Sequence, residues 1–132
     1  NAPVEMLSIY PTLLELSGLP AYAKNEGKSL VNMMQNDEGI NEAKAITTFG
    51  MNNHAIKMNG YRYIQYEDGK EEFYDHRFDP NEWNNEAGNP KYKTQIEKMK
   101  GFLPKVNAKW DDQSNYTFQP YFVEQKKRVN GH

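Results

Sequence analysis

Cysteine is missing from all 132 residues, so the chain has no disulfide framework, no zinc-thiolate site and no thiol nucleophile. That absence leaves the compartment open, because a secreted protein can do without disulfides. Histidine is scarce as well: His54, His76 and His132 are the three, and none has the i, i+4 partner of a metal-binding helix. No apolar run approaches the roughly 20 residues of a membrane span. Neither sign of charge prevails, since 16 Lys and Arg face 18 Asp and Glu for a net charge of −2. A basic face to match nucleic-acid phosphates is therefore not expected. A globular chain of this length buries about 65–70% of its unfolded surface, enough for one domain with a core but no large internal active-site cavity. There is no signal-like start, and Asn1-Ala2 reads as the scar of a cleaved tag, outside the fold argument.

What the sequence does contain begins with Ile9, Leu13, Leu14 and Leu16 at helical spacing behind Ser8, which predicts a helix from about Ser8 to Ser17 with Ser8 as N-cap. Pro11 sits in the first turn, where its missing N–H costs nothing, and Gly18 followed by Pro20 supplies the stop. Ala21 to Lys28 reads as a loop, and Ser29 to Met34 as a short helical segment. From Glu42 to Asp75 the pattern becomes that of strands: Ala45 to Phe49, His54 to Met58, Tyr61 to Tyr66 and Glu71 to Tyr74. Asn59-Gly60 and Asp68-Gly69 suit the positive φ angles of type I′ turns, so the last three strands form an antiparallel meander. Tyr61 and Tyr63 point to one face of it, and Arg62, Ile64 and Tyr66 to the other. One face is expected under a helix and the other against a partner. Asp79-Pro80-Asn81-Glu82 predicts a capping box and a single helical turn. Asn89-Pro90 opens the main helix, whose stripe of Tyr92, Ile96, Met99 and Leu103 should lie across the sheet until Pro104 ends it. The tail from Lys109 holds Trp110, Tyr116, Phe118, Tyr121 and Phe122 without a sustained period, as an extended surface strap would.

Few residues carry chemistry. Asp111-Asp112 lacks the several converging oxygens of a hard-cation site and reads as a solvated turn. His76, between Asp75 and Arg77, reads as a turn residue without a paired base. Tyr61, Tyr63 and Tyr66 could stack on a sugar, but alternating tyrosines in a hairpin usually pack the sheet. The turn Asn52-Asn53-His54 places two amides and an imidazole at one sheet end, suited to sugar hydroxyls or a sulfate oxygen. The same residues serve equally as ordinary turn chemistry, since Asn tolerates left-handed backbone, and both readings stand.

The order of elements, with several strings, resembles the type I sulfatases, and within them the C-terminal portion of bacterial iduronate-2-sulfatase-like members. The strings are Ile9-Tyr10-Pro11-Thr12-Leu13-Leu14-Glu15-Leu16-Ser17-Gly18-Leu19-Pro20, Gly27-Lys28-Ser29-Leu30, Phe49-Gly50-Met51-Asn52-Asn53-His54-Ala55-Ile56, Tyr61-Arg62-Tyr63-Ile64 and Phe73-Tyr74-Asp75-His76-Arg77-Phe78-Asp79-Pro80-Asn81-Glu82-Trp83. The resemblance covers about Val4 to Ala108. It implies an α+β fold: a four-stranded antiparallel sheet packed with a C-terminal helix, preceded by a short helix from an alkaline-phosphatase-like parent domain. Residues 3–41 would be the end of that large α/β domain and a linker, 42–108 the subdomain, and 109–132 an extended tail. The parent would hydrolyse sulfate esters of a sulfated carbohydrate with a formylglycine and a calcium ion, neither of which belongs to this stretch. The piece alone is then non-catalytic, and catalytic and metal-ligating residues in it are none. Its partners are the N-terminal catalytic domain of the same chain and a sulfated saccharide. The substrate-contact candidates are Asn52, Asn53 and His54, with Arg62 as a partner for sulfate or a uronate carboxylate. Periplasmic or extracellular location is the family's implication.

The alternative is a free-standing carbohydrate-binding or interaction module using the tyrosines as a platform. Against it stands the first helix, which presents Leu13, Leu14 and Leu16 with little beneath them, as the end of a larger layer would. Apolar surface and a sheet edge left bare by a missing domain also predict that the isolated piece dimerises as a truncation effect.

Overall fold

The computed structural model describes residues 2–36 and 39–108. The expected tail, 109–132, with Asp111 and Asp112, lies outside the described residues. The centre is a sheet of four strands in sequence order, all antiparallel: β1 (Lys44–Thr48), β2 (His54–Met58), β3 (Tyr61–Gln65) and β4 (Glu71–Asp75). Between β2 and β3, Asn59 and Gly60 take φ of 49° and 76°, the two positive angles of a type I′ turn. The β3–β4 connection departs from that expectation. Only Gly69 is left-handed (φ 81°), Gly69 N–H donates to Tyr66 O, and Tyr66 N–H donates to Lys70 O. This is a type I turn closed by a glycine bulge, which needs one positive φ and lets Asp68 spend its carboxylate on Lys70 N–H at 3.0 Å.

Register lines up Ile56, Tyr63 and Phe73 across three strands. With Met58 they face a short helix, α3 (Lys93–Lys100), which adds Ile96 and Met99, while Tyr92 comes from the preceding 3-10 turn, Pro90–Tyr92. The rings of Tyr61, Phe73 and Tyr92 lie 5.0 to 6.3 Å apart in tilted and edge-on pairs. Five of these side chains, Tyr63, Phe73, Ile56, Met58 and Met99, are fully buried. Each such burial contributes about 1.5–3 kcal/mol, so the helix is held by its apolar stripe rather than by its length. Tyr61 and Tyr63 are thus packing residues, and burial pushes the Tyr63 phenol far above its ordinary pKa, with Glu71 adding to the effect. Asn89 caps the helical segment by accepting Lys91 N–H at 3.0 Å. The helix stops at Lys100, before Gly101, rather than at Pro104; Phe102 and Leu103 then fold back on the core.

Ahead of the sheet, α1 (Ile9–Leu16) and α2 (Val31–Asn36) pack together. Ser8 does not cap α1. A 3-10 turn, Met6–Ser8, precedes it, Ser8 itself is helical and buried, and its carbonyl accepts the Thr12 hydroxyl at 2.5 Å. That hydroxyl oxygen in turn accepts Leu30 N–H at 2.9 Å, fastening the start of α2. At the other end Gly18 (φ 67°) lets Leu19 N–H reach Leu14 O and Gly18 N–H reach Glu15 O, a Schellman closure. Gly27 lies so close to Leu7 that a Cβ would meet the Leu7 carbonyl oxygen at 1.9 Å. Glu5 accepts Ile46 N–H at 2.8 Å, so the outer edge of β1 is partly blocked by its own chain instead of bare.

Candidate functional site

The β1–β2 turn, with Gly50 and Asn52 at φ of 74° and 62°, distributes its three candidates rather than converging them. Asn53 donates from Nδ2 to Met51 O at 3.0 Å and accepts Glu67 N–H at 3.1 Å, joining the tips of two hairpins. His54 is 3% exposed. It shares a sheet face with Ile56, with Nδ1 2.9 Å from Thr48 Oγ1 and Nε2 2.8 Å from Asn107 Oδ1. Asn107 Oδ1 also accepts Asn52 N–H at 3.4 Å. As an acceptor it calls for a proton on His54 Nε2, leaving Nδ1 to accept the Thr48 hydroxyl. Asn107 is a tertiary partner 53 residues away, and no spacing in the sequence points to it.

Arg62 lies on the opposite face. Its Nη1 donates to both Glu82 oxygens at 3.1 Å, and His76 Nε2 lies 2.7 Å from Glu82 Oε1. The predicted capping box is therefore not formed. The expected single turn is present, Glu82 N–H donating to Asp79 O at 3.3 Å, while the Asp79 carboxylate accepts N–H groups from Trp83 and Asn84 at 3.1 and 2.8 Å. Glu82 turns to φ 58° to reach Arg62 and His76 instead of the Asp79 N–H. Burial works against its charge, but the bonds from His76 and Arg62 more than offset it and hold the carboxyl below the usual range. Sequence reading missed both partners, since Arg62 and His76 lie 20 and six residues from Glu82 across irregular chain, where spacing marks no contact. A second cluster joins Asp75 to Arg77 Nε and Nη2 at 2.7 and 2.6 Å, with Tyr92 OH at 3.3 Å. Arg77 also bonds Tyr61 OH. The Arg77 bonds, against the cost of burial, keep Asp75 ionised well below its ordinary pKa.

On the open face a groove of about 630 Å³ is lined by Thr47, Phe49, Asn53, Arg62, Ile64 and Tyr66, among others. Tyr66 and Tyr74 both donate to Glu72, at 3.0 and 2.7 Å. Burial and Glu72 push the Tyr74 phenol up to about 12. The groove offers a cation, an amide and aromatic walls, which bind and orient.

No family model matches the chain. Over 130 residues, 98% of its length, it is 72% identical to a protein named Sulfatase from Formosa agariphila, covering 26% of that protein. The chain is homologous to sulfatases. A second relative in the same organism, an ulvan-active sulfatase, is 26% identical over 140 residues, 99% of this chain and 27% of that protein. The solved structure of a 2-O GAG sulfatase superposes with a TM-score of 0.59 at 21% identity, over 95% of this chain and 26% of the other. The sheet-and-helix unit is the α+β fold of sulfatase C-terminal subdomains. The chain spans about a quarter of the length of the curated relatives it matches. The formylglycine and calcium implied by the family do not fit the residues present. There is no cysteine and no Ser-x-Pro-x-Arg string in the sequence, and among the described residues no three His, Asp or Glu converge for a metal ion. Among them, too, no helix is long and apolar enough to cross a membrane.

Proposed function

We propose that this chain is the C-terminal subdomain of a sulfatase that hydrolyses sulfate esters of an anionic polysaccharide, with a 2-O-sulfated uronate such as iduronate as the sugar. The observation that carries this reading is the 72% identity sustained along 98% of the chain. In the whole protein the segment buttresses the catalytic domain through α1 and lines one side of the substrate cleft with its open sheet face. Arg62 and Asn53 supply polar contacts there, while His54, tied to Thr48 and Asn107, holds the turn in shape. Formylglycine and calcium chemistry resides in the preceding domain, and export from the cytoplasm is part of the same reading. The isolated segment is inactive and self-associates through its exposed α1 surface.

The test is to express the full reading frame and verify formylglycine by mass spectrometry. Sulfate released from dermatan sulfate, heparin and ulvan is then measured beside the 132-residue segment. Release by the full protein alone supports the proposal. A full, formylglycine-bearing protein that releases sulfate from none of them would refute it.

A further inference from the structure

Strand register sets Lys57 directly opposite Arg62. Alternation turns both away from Ile56, Met58 and Tyr63, onto the open face. Side chains so placed have Cβ atoms about 4.5–5.5 Å apart, and like charges at that spacing repel. Folding alone gains nothing from the pair. Glu82 offsets part of the charge, yet it occupies only Nη1 of Arg62 and fixes the guanidinium plane. Arg62 Nε and Nη2 keep their donors, and the exposed Lys57 side chain has no hydrogen-bond or ion-pair partner among the described residues. Acidic Glu67 and Asp68 line another part of the groove, and Asp68 is already paired with Lys70 at 2.7 Å. An anion is thereby directed to the Lys57–Arg62 position.

We infer that Lys57 and Arg62 form an anion subsite on the open sheet face. It takes a carboxylate or sulfate group that the polysaccharide carries away from the ester being cleaved. The occupant follows from charge complementarity: two adjacent cations with unused donors fit an acidic sugar. The identity of the polymer rests on the sulfatase reading; the subsite itself rests on the register.

The experiment is calorimetric binding of heparin and ulvan oligosaccharides to the full-length protein, beside its sulfate release and its Tm. Lys57→Gln should weaken Kd about threefold and Lys57→Glu about tenfold, the scale of exposed charge interactions. Tm should stay level or rise slightly, because a like-charge pair is relieved. If carboxyl-reduced oligosaccharide no longer distinguishes the variants from the parent, the bound group is a carboxylate; if it still does, a sulfate. Unchanged Kd in both variants, or no binding by the parent protein, overturns the subsite. A clear fall in Tm in both variants also overturns it, by assigning Lys57 to an acidic side chain elsewhere in the protein. Binding that responds as expected without sulfate release would sink the sulfatase reading and leave the subsite standing.

Discussion

The sheet with α3 and the helical segment before it are built from similar apolar material but end in opposite states. In the sheet unit, Tyr63 and Phe73 are 0% exposed beneath Ile96 and Met99. In α1, Leu13 and Leu16 remain 56% and 57% exposed, along with Ile9 and Tyr10. The first region coheres by apolar burial. The second is held by point contacts: Thr12 to Ser8 and Leu30, the close approach of Gly27 to Leu7, and Glu5 to Ile46. An apolar stripe therefore states that a helix has something to bury, without stating what buries it.

The sharpest way to break this comparison is Phe73→Ala, which removes the ring between Tyr61 and Tyr92 and should cost about 3–5 kcal/mol by urea denaturation. A loss below about 1 kcal/mol would mean that the core is not centred where the burial places it. Acid titration should have a smaller effect. Asp75, Glu82 and Asp79 have folded pKa values below their unfolded ones. Their contribution is full above the unfolded carboxylate value of about 4 and is lost as pH falls through the folded values. Asp75→Asn should lower stability at pH 7 by about 2 kcal/mol, the scale of hydrogen bonds to a charged group. It should also flatten the acid limb of a Tm-against-pH curve; an unchanged limb would remove Asp75 from the account. The smallest effect belongs to α1, where Leu13→Ala in this segment should cost under about 0.5 kcal/mol. In the full protein the same change should cost about 2 kcal/mol or more if the large domain covers α1. Equal effects in both would show that this surface stays wet.

Much of the fold was legible because its signals are local. Asn59-Gly60 marks the hairpin, β2 begins and ends where alternation places it, and Gly18 stops α1. Errors fell where a local signal met a tertiary competitor. Asp79 and Glu82 form a capping-box pattern, but the Asp79 N–H is taken by the Asp75 carbonyl, and Glu82 bonds Arg62 and His76 instead. Ser8 is a favourable cap by type, yet its place is taken by a turn that buries it. Of the proposed contacts, Asn53, His54 and Arg62 all border the groove, but the His54 ring is buried and bonded to Thr48 and Asn107 on the helix side, because alternation along β2 turns it there with Ile56.

By itself the sequence determined the strands, their turns, the helix across them and the family likeness, since each is written in periodicity, in residues tolerant of positive φ and in ordered strings. Only the tertiary structure decided that Glu82 holds Arg62 and His76 together and that Asn107 satisfies His54, whereas the two-residue Asn59-Gly60 turn already sets Lys57 against Arg62. The tertiary pairings join positions from 6 to 53 residues apart, and chain return, not spacing, brings them within reach.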